Sequence, residues 1–213
     1  HMVGHFDDSA AVLEFVNSKN LKPLAALGTS CPDHFLRTKI CPLVVEDEAK
    51  LSEAVEAYRK NYAAYYNACK RANSPAMRDA NPVVFLIPQV GMITFAKDKA
   101  TARISGEFYV NAINVMRGAS GVSTYVGLPQ QEAFDIEYWL LEEAKLQRMP
   151  KPKSLAGRVA LVTGGAGCIG KATAARMLRQ GDCVDLAGGD KTSAETAKGA
   201  LTTHTGKGVG QRP

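Results

Sequence analysis

Apolar residues recur along the chain with two spacings, and each spacing predicts a kind of secondary structure. Steps of three and four residues place apolar side chains on one face of a helix. Short continuous apolar runs are typical of buried strands. The helical spacing predicts helices over 10–16, 46–69, 97–117 and 131–148. The apolar runs predict strands over 83–87 and 92–95, joined as a hairpin through 88–91, and the stretch 20–28 is expected to interrupt the helical pattern.

Each predicted helix has an apolar face that we expect to be buried. Gly118 occupies a position typical of the residue that ends a helix, so the third helix is expected to stop there. The predicted buried positions are Leu51, Val55, Tyr58, Tyr62, Tyr65 or Tyr66 and Cys69 in the second helix, Ala100, Ile104, Phe108, Ala112 and Val115 in the third, and Ala133, Ile136 and Leu140, with Trp139 left open, in the fourth.

A different pattern follows residue 150. Two prolines alternate with lysines over 150–155, a composition typical of a stiff, solvated linker. We therefore expect one domain over 3–149, a linker over 150–155 and a second domain over 156–213. The second domain begins with an apolar run over 158–163, predicted to be a buried parallel strand. A glycine-rich loop, a helix over 171–180 with Ala172, Ala175 and Leu178 inward, and a strand over 183–187 follow.

Composition narrows the classes of function. The 213 residues are 46% hydrophobic and 22% charged, as in an ordinary globular protein. The formal net charge of +5 is spread along the chain, which argues against nucleic acid as a partner. No apolar run approaches the roughly 20 residues of a membrane span. Five cysteines without a CxxC pair favour reduced thiols in a cytoplasmic protein.

The glycine-rich loop is the motif that suggests chemistry. Glycines allow a tight turn and let a diphosphate approach the backbone, and the following helix presents free amides and its positive dipole end. The loop lies between a predicted strand and a predicted helix, which is the context that this motif requires. It predicts a binding site for NAD or NADP. The candidate binding residues are Gly164, Ala166, Gly167, Cys168, Ile169 and Gly170.

The segment LAGRVALVTGGAG, residues 155–167, resembles the start of a short-chain dehydrogenase/reductase, whose glycine pattern is TGxxxGxG. Cys168 replaces the middle glycine of that pattern. It is either a small side chain that weakens binding or a reactive thiol at a helix N-terminus. The acidic residue that the family uses to hold the ribose would fall at Gly188, while Asp190 comes two residues late and Asp185 falls inside the strand. Cofactor binding is therefore expected to be weak or lost.

The resemblance also implies that the catalytic Ser and Tyr-x-x-x-Lys of the dehydrogenase family should lie far downstream of the glycine loop. The chain ends at Pro213 without them. Tyr66 and Lys70 match the spacing by chance, about a hundred residues upstream. No catalytic residue of hydride transfer is assigned.

The earlier part of the chain supplies a second resemblance. It contains GTSCPDHFLRTK at 28–39, FYVNAINVMRG at 108–118 and QEAFDIEYW at 131–139. In this order, ahead of a dehydrogenase start, these segments resemble the bifunctional rhamnulose-1-phosphate aldolase/alcohol dehydrogenases. The resemblance implies a class II aldolase that cleaves a ketose phosphate to dihydroxyacetone phosphate and lactaldehyde, with a divalent metal held by residues upstream of this chain. Val90 stands where a histidine ligand is often found, and His34 is left as either a structural residue or a ligand of phosphate or metal.

Three functions remain open from the sequence. The first is a fragment of the aldolase/dehydrogenase, α/β in class, whose aldolase-like segment is followed by a truncated Rossmann unit, and which catalyses neither reaction alone. The second is a non-catalytic connector that docks the two enzyme parts or forms a homo-oligomer. The third is an unrelated hydrolase-type activity, for which Ser30 or Ser120 with His34 would be the residues to test.

Overall fold

The computed structural model describes residues 2–29, 31–148, 150–188, 191–205 and 209–212. The chain folds as two compact units. The larger unit comprises His5–Phe95 and Arg103–Met149, and the smaller unit comprises His1–Gly4, Ala96–Ala102 and Pro150–Pro213. Helices and strands occur in both parts of the chain, so the predicted α/β class is confirmed. The proposed domain limits around 150–155 remain a prediction.

The first sheet has four strands. They are β1 (Val3–Asp7), β2 (Leu43–Val44), β3 (Val84–Ile87) and β4 (Gly91–Ala96), in the order β1-β4-β3-β2. The predicted hairpin is confirmed, since β3 and β4 are antiparallel with Leu86 opposite Met92. β2 runs parallel to β3. β1 was not among the predicted strands, because its residues alternate weakly and are partly polar.

Seven α-helices lie in the described part of the chain before residue 149. They are α1 (Ala10–Val16), α2 (Leu21–Ala26), α3 (Phe35–Thr38), α4 (Leu51–Cys69), α5 (Lys99–Val122), α6 (Gln130–Glu137) and α7 (Leu140–Arg148). Three expectations were wrong here. The stretch 20–28 contains α2 instead of an interruption. Gly118 does not end α5, which continues to Val122. The predicted fourth helix is two helices, separated at Tyr138 and Trp139.

The core of the larger unit lies between α1, α5 and the sheet. The buried face of α5 differs from the predicted one, because Ala100 and Val115 are exposed. The buried face instead carries Ala102, Ser105, Gly106, Tyr109, Ala112, Ile113 and Met116. Gly106 lies on this face close to the sheet, where a Cβ would be at an ordinary contact distance of 3.4 Å from Thr94 Oγ1. Leu51, Trp139 and Leu140, expected or considered as buried, are also exposed.

The smaller unit contains a parallel sheet with the order β5-β6-β7. Its elements are β5 (Val159–Thr163), α8 (Cys168–Arg179), β6 (Cys183–Ala187), α9 (Lys191–Thr205) and β7 (Val209–Arg212). The predicted strand, glycine loop, helix and strand are confirmed. The expectation that β5 is buried was wrong for one face, on which Val159 and Leu161 are 63% and 59% exposed. On α8 the buried alanine is Ala174, and Ala172 is exposed.

Candidate functional site

The glycine loop turns sharply between β5 and α8. Gly164 adopts φ +64°, a left-handed conformation that favours glycine. The Gly167 amide donates to the Gly164 carbonyl at 3.0 Å, which closes the turn. The helix begins at Cys168, and the Lys171 amide donates to the Gly167 carbonyl at 2.9 Å. The first amides of α8 therefore lie directly after the turn, where a helix has no partners of its own for them.

Close packing of strand end and helix start depends on Gly170. A Cβ on Gly170 would lie 2.2 Å from the Gly164 carbonyl oxygen, closer than any real contact. Gly170 is accordingly buried in the first turn of α8. This is the role of the last glycine in a dinucleotide-binding loop, where the helix must pack closely on the strand.

The remaining candidate residues lie at the surface. Gly164, Gly167, Cys168 and Ile169 are exposed, and Ala166 is half-buried. A Cβ on Gly164 would meet no atom within 4 Å, so space remains on that side of the loop. The structure thus brings the six candidate residues together in one turn beside a helix N-terminus. This arrangement can bind a diphosphate, although cofactor binding itself remains a prediction.

The ribose end of the candidate site is less complete. Gly188 follows β6 directly. Asp185 is half-buried in the middle of β6, opposite Leu161 of β5. Asp190 lies outside the described residues. The described residues therefore place no carboxylate at the end of β6.

The other candidate residues, Tyr66 and His34, contact other parts of the fold. The Tyr66 hydroxyl donates to the Pro75 carbonyl at 2.7 Å, which gives it a role in holding the segment after α4. The His34 ring stacks on Phe108 with 3.9 Å between ring centroids. Its Nδ1 is buried and finds no hydrogen-bond partner among the described residues. Burial lowers the pKa of His34, and Asp33 opposes that shift.

The described residues contain no group of three or more His, Cys, Asp or Glu that could hold a metal ion. His34 therefore lacks companion ligands within this part of the chain, and the donor set does not fit a catalytic metal. Ser30, one member of the considered Ser–His pair, lies outside the described residues. Ser120 is exposed on α5.

Sequence reasoning missed a buried polar cluster in the larger unit. Glu137 on α6 is 1% exposed. Its carboxylate accepts hydrogen bonds from the Tyr62 hydroxyl at 2.5 Å and the Tyr65 hydroxyl at 3.2 Å, both on α4. The Tyr62 and Tyr138 hydroxyls lie 2.7 Å apart. Burial raises the pKa of Glu137, while Tyr62 and Lys39 oppose the shift. We call these four residues together with Lys39 the tyrosine–glutamate cluster.

Two cations lie against the tyrosine rings: Lys39, which belongs to the cluster, and Arg78, which borders it. Lys39 has φ +62° and is 7% exposed. Its ammonium lies 4.1 Å from the Tyr62 ring centroid and donates to the carbonyls of Asp79 and Asn81. Desolvation lowers the pKa of Lys39 to about 8. The Arg78 guanidinium donates to the Glu137 carbonyl and lies over the Tyr138 ring. The cluster therefore ties α4, α6 and the irregular segment 70–83 together.

One signal in the sequence could have revealed this cluster. Glu137 comes four residues after Ala133, which places a carboxylate on the apolar face of its helix. A carboxylate in that position requires buried donors. Tyrosines three residues apart on another predicted helix could supply them.

Comparison with known proteins gives a family match for most of the chain. Residues 1–146 match the family described as aldolase class II, second domain. An uncharacterized oxidoreductase of Bacillus subtilis, YuxG, is 36% identical over 97% of this chain. The chain spans 31% of that relative's length. These matches confirm the predicted resemblance to an aldolase segment followed by a dehydrogenase-like segment.

Solved structures match shorter stretches. An oxidoreductase from Escherichia coli, yciK, shares 28% identity over 30% of this chain and 26% of its own, with a TM-score of 0.27. A short chain dehydrogenase from Shigella flexneri shares 27% identity over 32% of this chain and 26% of its own, with a TM-score of 0.27. No helix within the described residues combines the length and apolar character needed to cross a membrane.

Proposed function

The chain belongs to the class II aldolase second-domain family, and on that premise we propose that it is the junction of a bifunctional enzyme. The aldolase segment leads into the first part of an NAD(P)-dependent short-chain dehydrogenase. Similarity to the Bacillus subtilis oxidoreductase over 97% of the chain supports this order of segments. The proposed whole protein is a cytoplasmic enzyme of rhamnose-type sugar catabolism.

The proposed pair of reactions follows from the family resemblance. The aldolase would cleave a ketose phosphate, and the dehydrogenase would oxidise or reduce the resulting aldehyde. The aldolase metal would be held by residues outside this chain, because the described residues lack a fitting donor set. The dehydrogenase proton donor has no candidate here either. The isolated chain is therefore proposed to bind cofactor weakly and to catalyse neither reaction.

The turn at 164–170 carries the proposal for cofactor binding. A left-handed glycine, a helix that starts immediately afterwards and a glycine at the point of closest approach are the three parts of a diphosphate-binding loop. Cys168 is the departure from the family pattern. Its side chain projects from the first residue of α8, where the diphosphate would approach.

Substitution of Cys168 tests this site. Cys168→Gly restores the family pattern, and we expect NAD or NADP to bind more tightly by about 1 kcal/mol, roughly fivefold in Kd. Cys168→Asp places a negative charge beside the diphosphate and should abolish binding. Isothermal titration and thermal shift measure both effects, because a ligand at 100 times its Kd stabilises the folded protein by about 2.7 kcal/mol.

Thr173→Asp is the matched control, since it adds the same charge to an exposed position of α8 away from the loop. Unchanged cofactor affinity in Cys168→Asp would remove the loop from the binding site. Steady-state turnover of lactaldehyde by the isolated chain would contradict the proposed lack of catalysis.

A second candidate function is that of a connector that self-associates. Trp139, Leu140 and Leu141 are consecutive apolar residues and are each about half exposed. Contiguous exposed apolar residues often mark interaction surfaces. Light scattering after size exclusion tests it, with Leu141→Lys expected to convert an oligomer to a monomer. A native chain that is monomeric at high concentration would count against this function.

A further inference from the structure

An open cavity of about 560 Å³ lies within the larger unit. It is bordered by α2, the segment 40–44, α4 and the segment 127–130. Small side chains leave the space open, namely Ala25 and Ala26 on α2 and Ala54 and Ala57 on α4. The volume falls within the roughly 300–1,000 Å³ of cavities that bind small molecules.

Tyr58, Tyr62 and Tyr65 of α4 line one wall of this cavity. Their hydroxyls are already hydrogen-bonded to other protein groups. The Tyr58 hydroxyl donates to the Cys41 carbonyl at 2.8 Å. The Tyr62 and Tyr65 hydroxyls donate to Glu137. Burial raises the pKa of all three tyrosines, so they stay neutral. Tyr62 and Tyr65 are only 3% and 5% exposed, so the wall offers a ligand mainly the half-buried ring of Tyr58.

The cavity carries no uncompensated charge on its described lining residues. Among the lining residues Lys22 carries a charge, and the Lys22 ammonium lies 2.6 Å from the Glu46 carboxylate. Burial raises the pKa of the Cys41 thiol to about 11, so Cys41 is neutral at physiological pH. Asn61 and Gln130 add amide groups that are exposed to solvent. A charged ligand would gain no ion pair here and would lose hydration.

From the volume, the aromatic wall and the balanced charge, we propose that this cavity binds a neutral, largely apolar ring compound. One or two hydrogen-bonding groups of the ligand would reach the amides of Asn61 and Gln130. An aromatic ring of the ligand gains from packing against the ring of Tyr58 beyond the area that it buries. The proposal is independent of the aldolase and dehydrogenase functions, because sugar phosphates and dinucleotides are both charged.

Titration of the full chain with N-phenyl-1-naphthylamine, a neutral aromatic probe whose fluorescence rises in apolar surroundings, tests the site. We expect saturable binding of one probe per chain. Ala54→Trp fills the cavity from α4 and should weaken probe binding by at least about tenfold, equivalent to 1.4 kcal/mol. Ala64→Trp, an exposed alanine of the same helix outside the cavity, should leave binding unchanged.

Two further variants keep the test decisive. Leu128→Asp places a charge in the part of the lining formed by 127–130 and should give the same loss, so it replaces Ala54→Trp if that variant does not fold by circular dichroism. Leu161→Lys alters the exposed face of β5 and should leave probe binding intact. Absence of saturable binding, or loss in Leu161→Lys with retention in Ala54→Trp and Leu128→Asp, overturns the proposal. Tighter binding of anionic 8-anilinonaphthalene-1-sulfonate than of the neutral probe also overturns it.

Discussion

The two units use polar groups in opposite ways. In the smaller unit, the turn at 164–170 leaves Gly164, Gly167 and Cys168 at the surface, beside the first amides of a helix. In the larger unit, Glu137 is buried and its carboxylate is occupied by two tyrosine hydroxyls. The first arrangement has groups available to a ligand. In the larger unit the polar groups bind one another and hold α4 and α6 together.

This difference limits what a shifted pKa can indicate. Shifted pKa values are often used to locate catalytic groups, although buried structural networks produce them as well. Here the shifts concentrate in the tyrosine–glutamate cluster, where desolvation is the largest cause for both Glu137 and Lys39. The hydrogen bonds of the tyrosine–glutamate cluster explain it as a network that stabilises the larger unit. The loop that a ligand can reach lies in the smaller unit.

Removal of the Glu137 carboxylate is expected to have the largest effect on the free energy of unfolding. Glu137→Ala leaves the buried Tyr65 hydroxyl without its acceptor and leaves the Tyr62 hydroxyl with Tyr138 alone. We expect the free energy of unfolding to fall by about 2–5 kcal/mol, since each buried polar group left unpaired costs about 1–3 kcal/mol. Urea unfolding followed by the fluorescence of Trp139, the single tryptophan of the chain, measures this change in the larger unit.

Two variants control for the loss of the carboxylate. Glu137→Gln keeps an acceptor oxygen and should lose less stability than Glu137→Ala. Glu132→Ala changes an exposed residue of the same helix and should stay within about 0.5 kcal/mol of the native protein. Equal stability of the Glu132→Ala and Glu137→Ala proteins would show that the cluster does not stabilise the larger unit.

The corresponding change in the smaller unit is Gly170→Ala. Its Cβ would meet the Gly164 carbonyl at 2.2 Å, and backbone atoms on both sides must shift. We expect a loss of about 1–3 kcal/mol, the usual cost of overpacking. The smaller unit has no tryptophan or tyrosine, so hydrogen exchange of the β5 amides is the suitable measurement.

Gly199→Ala is the matched glycine in α9, where a Cβ would meet nothing within 4 Å. Alanine should stabilise that helix by about 0.5–1 kcal/mol. The two substitutions are thus expected to have opposite signs. Equal β5 protection in both proteins would mean that the strand and helix need no close approach at Gly170.

The same contrast explains which parts of the structure the sequence could predict. The strand, turn and helix of the smaller unit follow one another within about 25 residues, so local patterns were sufficient. The break at Tyr138 and Trp139 was missed because the apolar pattern continues across it. Two overlapping apolar faces exist on α5, and local periodicity does not indicate which face the sheet will contact. The choice depends on how α5 packs against the sheet and α1, which is a tertiary effect.

The two sites also differ in whether their residues are neighbours in the sequence. The candidate cofactor residues are contiguous and were identified from the motif alone. The tyrosine–glutamate cluster joins residue 39 to residues 62 and 65 and to residues 137 and 138, which come together only in the folded chain. The exposure of Val159 and Leu161 likewise depends on what covers the sheet. A buried parallel strand was therefore a reasonable expectation from the sequence.

Alkaline pH should distinguish the units through Lys39. Desolvation lowers its pKa from 10.5 to about 8, against the opposing charges of Glu137 and Asp79 and aided by Arg78. Between these values the unfolded chain binds more protons than the folded one, so stability rises with pH. We expect Lys39 to contribute a gain in stability from pH 8 to 9.5, against the losses that Cys41, Cys69 and the buried tyrosines contribute because burial raises their pKa values. Lys39→Met keeps the apolar stem and should abolish this gain. An unchanged dependence of stability on pH in that variant would assign the gain to other groups.

The smallest effect on stability is expected at Cys168. The thiol is exposed at the start of α8, so Cys168→Ser should change the free energy of unfolding by less than about 0.5 kcal/mol. Cys69→Ser is the matched substitution in the larger unit, where Cys69 packs in a cluster with Tyr62, Tyr65 and Phe134. Burying a hydroxyl there should cost about 1–3 kcal/mol. A loss in Cys168→Ser as large as that in Cys69→Ser would mean that the thiol packs against the loop, and the space required for a diphosphate would then be absent.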